Sequence, residues 1–498
     1  MTLYACTRSV VLVGLSPHVV DIEADAAPGG GKLHLIGLPE LSVWPARARI
    51  RAAILNSGTD WPDARITVSV SPTIPRAFET AADLALALVT LAAAGVIPPE
   101  RIAGRVFLGE LGLDGRICPI RGILAAVGAA VQAGMRTVVV PAECAPEAAQ
   151  VPGAVVIPVT RLAEVVDRLQ AATLDGARYR AVGPSACPAS SLDLAEVPGN
   201  EAARRALEVC AAGGHHLFLL GDGPATMLAE RLPGILPPLD PGAAREVAEI
   251  YSLAGRSDQA PGTSPPISAP HHTSTPATLF GSVAGNRPGA VSLAHRGVLH
   301  LADAPEFSRQ VLDALRGPMG NGEVRVAGLG RTVRYPARFM LVLDARPCAC
   351  PEGGDCICTP VTRRRYLDRL VPLLPRVSVR APVAWEARRE GAGESSAVVA
   401  ARVAAARERA ADRLAGTPWR TNAVVPALEL RTRFPAEPAA VELLRSTVQT
   451  GQLTSEALPQ VLRVAWTVAD LRGADRPTVE DAVEALHLWT GDSSDGGR

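Results

Sequence analysis

Lysine is nearly absent from this 498-residue chain: Lys32 is the only one, and the other 49 of its 50 basic side chains are arginine. A coding bias toward Ala, Arg, Gly and Pro accounts for arginine on the surface, but any chemistry that requires an ammonium group is left to Lys32. Net charge is absent too. The 50 acidic side chains balance the 50 basic ones, which excludes a generally basic nucleic-acid coat and leaves room only for local patches. Long apolar runs are missing: the longest, Leu84–Ile97, is interrupted by Thr90 and too short to cross a bilayer, so it reads as a buried helix. Met1–Val20 lacks the charged start and apolar stretch of a secretory signal. Nine cysteines in so long a chain are no disulfide framework, and four of them cluster. That pattern points to a reducing, cytoplasmic compartment, a metal, and no membrane.

The length suggests about three domains. The first stretch interleaves strands and helices: Arg65–Val70 alternates polar and apolar residues, Ala81–Ala94 is helical, Arg105–Gly109 is a strand, Ile123–Ala133 a helix and Thr137–Pro141 a buried strand. This is an α/β pattern. A linker follows, with Gly183–Pro184–Ser185 and Ser190–Ser191. Periodicity returns with a helix over Asn200–Val209, an apolar strand His216–Leu220 ending in Gly221, a Pro/Ser-rich loop at Ser257–Pro270 and a strand at Gly297–Leu301. A helix around Ser308–Leu315 precedes Phe339–Leu343, the last clear strand. After Pro382 the pattern is helical: Ala397–Leu414, Leu458–Leu471, and Thr478–Leu488 with Asp481 as the partner of a Thr478 capping box. The arginines of Ala397–Leu414 read as an exposed stripe with i,i+4 pairs.

Several segments, in order, carry a resemblance. They are Gly213–Gly221, Met227–Pro238, Ala269–Thr273, Asn286–His295, Pro305–Ser308, Tyr335–Phe339, Leu462–Ala465 and Thr467–Leu471. Through them the second domain resembles a magnesium-chelatase-type AAA+ ATPase, and the whole chain resembles the ComM/YifB family. Leu108–Leu111, Asp114–Arg116, Pro119–Gly122 and Val139–Glu143 are similar to the Lon-protease-like domain that opens such proteins. The resemblance implies residues 1–170 as a Lon-like domain, 171–195 as linker, 196–382 as an AAA+ P-loop-type core and 383–498 as a helical C-terminal lid. It further implies ATP and Mg²⁺, a homo-oligomeric ring or a mixed ring with an intact paralogue, and DNA as partner, ComM-like members driving branch migration in recombination of foreign DNA. A protease is not expected. The stretch matching the nucleophile loop, Pro75–Asp83, has no serine, and the helix matching the lysine's has Ala125 and Ala126.

The nucleotide site departs from the pattern that binds phosphate. A phosphate loop wraps phosphates in backbone N–H groups, adds a lysine, and holds Mg²⁺ with a hydroxyl. Between Gly221 and Met227 lie only Asp222, Gly223, Pro224, Ala225 and Thr226, two residues fewer than G-x-x-x-x-G-K-[S/T] requires, with neither lysine nor arginine. Gly221, Gly223 and Thr226 are what remains of it. Where the family has an Asp-Glu pair for metal and water, this chain has Ala302 and Asp303, so Asp303 is the one candidate to orient water. The family's sensor Asn aligns with Arg346, and two lid arginines with Glu456 and Trp466. Arg369 and Arg376 match family arginines and are candidate arginine fingers. Two readings follow: a binding or regulatory subunit with a degenerate site, or an active branch-migration motor with an atypical loop.

Cys348, Cys350, Cys356 and Cys358 offer four thiolates within eleven residues around Gly353–Gly354, which suits a Cys₄ structural zinc site or a set of unliganded, redox-labile thiols. Cys6, Cys118, Cys144, Cys187 and Cys210 are scattered and read as small hydrophobes. His271–His272 read as loop residues, and His295 and His300 as local hydrogen-bonding groups. Arg363–Arg364–Arg365 is the sharpest basic run, a phosphate contact or a solvated helix face.

Overall fold

The computed structural model describes residues 4–72, 80–174, 179, 192–350, 356–384 and 393–491. Most of the linker and the segment 73–79 of the nucleophile-like loop lie outside these residues. The chain is α/β. Its first part contains β1 (Tyr4–Val13), β2 (Ser16–Pro28), β3 (Leu33–Ile36), α1 (Glu40–Asn56), β4 (Ala64–Ser71), α2 (Asp83–Ala93), β5 (Val106–Phe107) and a small hairpin, β6 (Glu110–Leu111) with β7 (Ile117–Cys118). Then come α3 (Ile123–Gln132), β8 (Thr137–Pro141), α4 (Ala145–Ala148), β9 (Val155–Val159) and α5 (Leu162–Gln170). A seven-stranded sheet runs in the order β3-β4-β2-β1-β5-β8-β9. Strand β2 buries alternate residues, as a strand with one face on a core must. Every residue of α2 is buried, which explains why all but Asp83 and Thr90 are Leu, Ala or Val.

The second part runs α6 (Glu201–Gly213), β10 (Leu217–Leu220), α7 (Ala225–Arg231), α8 (Pro241–Ala254), β11 (Ile267–Ser268), α9 (Pro276–Phe280), β12 (Gly281–Ser282), β13 (Arg287–Pro288), α10 (Ala290–Leu293) and β14 (Val298–Leu301). It continues through α11 (Arg309–Asn321), β15 (Glu323–Gly328), β16 (Arg331–Pro336), β17 (Met340–Ala345), α12 (Pro360–Leu367) and β18 (Val379–Pro382). Its main sheet is parallel, ordered β11-β14-β17-β10-β18. The strand expected to be last, Phe339–Leu343, is therefore followed by another. β18 is only four residues long and carries Arg380 and Pro382, so its own pattern is mute; pairing with Leu217–Leu220 makes it a strand. β11 likewise sits inside the Pro/Ser-rich loop, as an edge strand.

The C-terminal part is helical: α13 (Ser396–Arg413), α14 (Ala427–Thr432), α15 (Pro438–Gln449), α16 (Leu458–Arg472) and α17 (Val479–Thr490), the last starting in the expected Thr478/Asp481 capping box. The arginines of α13 are not an exposed stripe with i,i+4 pairs. Arg402 pairs with Glu208 on α6 and with Glu394, Arg407 donates to Ala211 O, and Arg413 forks onto Asp470 of α16. Carboxylates and carbonyls of the neighbouring helices drew them inward, because a long apolar stem packs while its head finds an acceptor.

The two sheet-bearing parts meet at the turn between β1 and β2. Gly14 N donates to Asn286 Oδ1 at 2.8 Å, and Asn286 Nδ2 returns a bond to Gly14 O at 3.3 Å. Gly122 N donates to Ser252 O at 3.2 Å, and one apolar cluster continues across the boundary from Val10, Leu12 and Ile123 to Leu253, Val283 and Val333. Among the described residues, no helix is long and apolar enough to cross a membrane.

Candidate nucleotide site and cysteine cluster

β10 ends at Leu220 and α7 starts at Ala225, so the turn between them is Gly221–Pro224. Gly221 has φ +149°, and its N–H donates to Ala345 O at 3.0 Å. The turn lies flush against the chain leaving β18. A Cβ on Gly221 would stand 1.8 Å from Val383 O, and one on Gly223 would stand 2.5 Å from Ala384 N. Asn200, buried and left-handed at φ 52°, clamps that chain by bonding Ala384 twice, donating to its carbonyl at 3.0 Å and accepting from its N–H at 2.9 Å. Of the retained loop residues, Gly221 and Gly223 are half-buried and Thr226 is exposed, as is Asp222. Ala225 N is already spent on Gly223 O, and α7 is only seven residues long. Arg231, at its end, is 4 % exposed and committed to Asp193 O, Met227 O and Glu196.

The acidic position sits just past β14. Asp303 has φ 47°, and its N–H donates to Asp344 Oδ1 at 2.8 Å. The other Asp344 oxygen lies 2.7 Å from His300 Nε2, so His300 is a hydrogen-bonding group whose partner lies 44 residues away. The guanidinium of Arg346 stands 3.4 Å from the Asp303 carboxylate and donates to Cys350 O at 2.8 Å. Asp344 escaped the sequence reading. Its signal was present: a lone carboxylate inside the wholly buried strand Met340–Ala345 must have partners.

The four cysteines are brought together, their sulfurs all within 4.8 Å of one another. Cys348 and Cys356 are 3.2 Å apart, Cys350 and Cys356 3.7 Å, and Cys350 and Cys358 3.2 Å. Four ligands at a Zn–S distance of about 2.3 Å would stand about 3.8 Å apart, close to this spacing, so the cluster can hold a metal ion. Hydrogen bonding from Cys348 brings the Cys356 thiol down to about 7, with further help from Arg363. Cys6, Cys118, Cys144 and Cys210 are free thiols elsewhere in the fold, and Cys187 lies outside the described residues. His271 bonds Thr273 and stacks on His272 at 4.1 Å, while His295 meets Glu246 at 3.0 Å.

Comparison with known proteins gives this geometry its context. The family described as magnesium chelatase, subunit ChlI, matches residues 193–390; subunit ChlI of Mg-chelatase matches 22–144, and the ChlI C-terminal family matches 393–488. An uncharacterised protein of Mycobacterium tuberculosis (strain H37Rv) is 44% identical over 492 residues, covering 96% of this chain and 97% of the relative. YifB of Escherichia coli (strain K12) is 34% identical over 497 residues, covering 96% and 95%. The competence protein ComM of Haemophilus influenzae is 32% identical over 496 residues, covering 97% and 96%. The chain belongs to the ComM/YifB family of magnesium-chelatase-like proteins.

In this ComM/YifB-family chain, the two candidate finger arginines lie on consecutive short turns before β18. Arg369 is exposed and donates to Phe307 O at 3.3 Å. Arg376 is half-buried beside His216, whose ring is pushed down to about 4 by burial, with the Arg376 charge adding. In the lid, Glu456 is exposed, and Trp466 is buried, donating to Phe434 O at 3.0 Å under the stacked guanidinium of Arg413. Lys32 is exposed ahead of β3, in the other sheet. Ala125 and Ala126 are buried in α3, and Asp83, at the described end of the nucleophile-like segment, is held by Arg49 at 2.8 and 3.1 Å.

Proposed function

We propose that this chain is a DNA-associated ring subunit of the ComM/YifB family whose nucleotide site has become a structural joint, so that it acts as a DNA-binding or regulatory subunit and does not hydrolyse ATP. The observation that carries the reading is the Gly221–Pro224 turn. It is two residues short, has no cation, and is packed against Val383 and Ala384 where a phosphate loop needs open amides. Magnesium and a triphosphate do not fit the residues present: the metal carboxylate is replaced by Ala302, and the remaining Asp303 is engaged by Arg346. No hydrolytic step is therefore assigned. The name of the relative ComM, a competence protein, supports a place in handling incoming DNA. A homo-oligomeric ring, or a mixed ring with an intact paralogue served by Arg369 or Arg376, is the assembly proposed. Free thiols and a four-cysteine cluster support a reducing, cytoplasmic setting with structural zinc at Cys348, Cys350, Cys356 and Cys358.

Calorimetry with ATP and Mg²⁺, followed by phosphate release with and without branched DNA, tests the site. No heat of specific binding and no DNA-stimulated release are expected. Micromolar affinity with DNA-stimulated turnover would replace this reading with that of a motor. Metal analysis of the purified chain should return about one equivalent of zinc, and a content below about a tenth of an equivalent removes the zinc assignment.

A further inference from the structure

The segment between Cys356 and Tyr366 places exposed apolar side chains beside a run of exposed arginines. Ile357, set between two of the clustered cysteines, is 92 % exposed, and Val361, in the first turn of α12, is 60 % exposed. Arg363, Arg364 and Arg365 follow on the same helix and are all exposed. Among the described residues neither Arg364 nor Arg365 has a carboxylate within ion-pairing distance, although the whole chain is charge-neutral. Arg363 lies against the Cys356 thiol.

What holds this segment is equally specific. Thr359 caps α12 by accepting from Thr362 N at 3.3 Å, and Tyr366, 7 % exposed, anchors the helix beside Glu306. Arg346 bridges from Asp303 to Cys350 O, tying the cysteine loop to the end of the parallel sheet. The apolar tip and the three guanidiniums thus stand on a braced base.

We propose that this cysteine knuckle and α12 form a binding surface for single-stranded nucleic acid. This rests on the DNA-associated reading above and gives it a location. Three consecutive residues on a helix point about 100° apart in turn, so the guanidiniums fan outward and suit successive phosphates of a flexible strand. Ile357 and Val361 offer an apolar contact to base faces, which only unpaired bases expose. A metal on the four thiols would fix the tip relative to the arginines.

Fluorescence anisotropy on the full chain, zinc-loaded, with a labelled single strand of about 20 nucleotides and the corresponding duplex at several salt concentrations tests this. The triple variant Arg363→Gln, Arg364→Gln, Arg365→Gln should lose about tenfold or more in single-strand affinity, and its log–log salt slope should fall by about 2. Ile357→Ala should weaken the single strand several-fold and leave the duplex unchanged. Cys356→Ser with Cys358→Ser should reproduce the loss. All altered side chains of the triple variant are exposed, and an unchanged unfolding midpoint verifies its fold. Full affinity and slope in the triple variant would overturn the surface while the DNA-associated reading stands. Failure of the unaltered chain to bind single, duplex or branched DNA would overturn both.

Discussion

His300 and Asp344, 44 residues apart in sequence, meet beneath the acidic position with Nε2 2.7 Å from Oδ2, and the second Asp344 oxygen accepts the N–H of Asp303. Asp344 thereby satisfies two buried donors and fixes the left-handed backbone of Asp303. Replacing Asp344 by Ala strands both, and should cost about 2–4 kcal/mol. Asp344→Asn, which keeps an acceptor for Asp303 N, should cost distinctly less. Urea denaturation of the two variants checks the order; equal, negligible losses would mean the pair is not a brace.

Under the proposed reading, an acidic pair at positions 302 and 303 does not by itself give turnover. Ala302→Asp combined with Asp303→Glu installs an acidic pair, yet the Gly221–Pro224 turn still has neither lysine nor arginine and stays packed against Val383 and Ala384. Phosphate release from ATP should stay at the level of buffer. A clear rise in turnover from these two substitutions alone would show that the turn admits a triphosphate after all.

Acid should weaken the joint between the parallel sheet and the lid. His215 is buried between Thr467 Oγ1 at 2.8 Å and Ser378 Oγ at 3.4 Å, and burial pushes its ring from 6.5 down to about 3. The unfolded chain takes up a proton below pH about 6.5 while the folded chain refuses it until about pH 3. Stability contributed by the neutral ring is therefore present at neutral pH and lost as pH falls through that window, by up to about 1.4 kcal/mol per pH unit. Urea midpoints measured from neutral pH downward should fall less steeply for His215→Asn than for the unaltered chain. Parallel curves would exclude this group as a source of the acid sensitivity.

Gly14 is one of the points at which the two sheet-bearing parts meet. Its φ of +63° suits glycine, and a Cβ there would stand 2.8 Å from Arg334 O, a backbone atom that cannot swing away. Gly14→Ala should loosen the contact and cost about 1–3 kcal/mol. Asn286→Ala should do the same by removing both bonds to Gly14. Limited proteolysis should release the N-terminal part earlier in both variants, and an unchanged digestion course would place the docking energy elsewhere.

Much of the fold was legible where apolar periodicity is long or strong. Ala81–Ala94 reads as a helix and is one over Asp83–Ala93, Thr137–Pro141 reads as a buried strand, and Thr478 with Asp481 as a helix start. The short parallel strand Val379–Pro382 was not, because four residues carry no period and its pairing partner lies far back at Leu217–Leu220. The arginines of Ser396–Arg413 were misjudged for a related reason: their acceptors, Glu208, Ala211 O and Asp470, belong to other helices.

For the site, the sequence alone determined that the stretch Gly221–Met227 holds neither lysine nor arginine and that Ala302 and Asp303 follow the strand Val298–Leu301. Those are covalent facts that no folding alters. It also determined that four thiols lie close enough in the chain to meet. Only the tertiary structure decided what these residues touch. Asn200 and the Val383–Ala384 backbone close on the turn, Asp344 and His300 brace the acidic position, and Arg346 links Asp303 to the cysteine loop. All of these contacts except that of Arg346 with Cys350 O join residues distant in sequence, and a buried polar group finds its partner through space rather than along the chain.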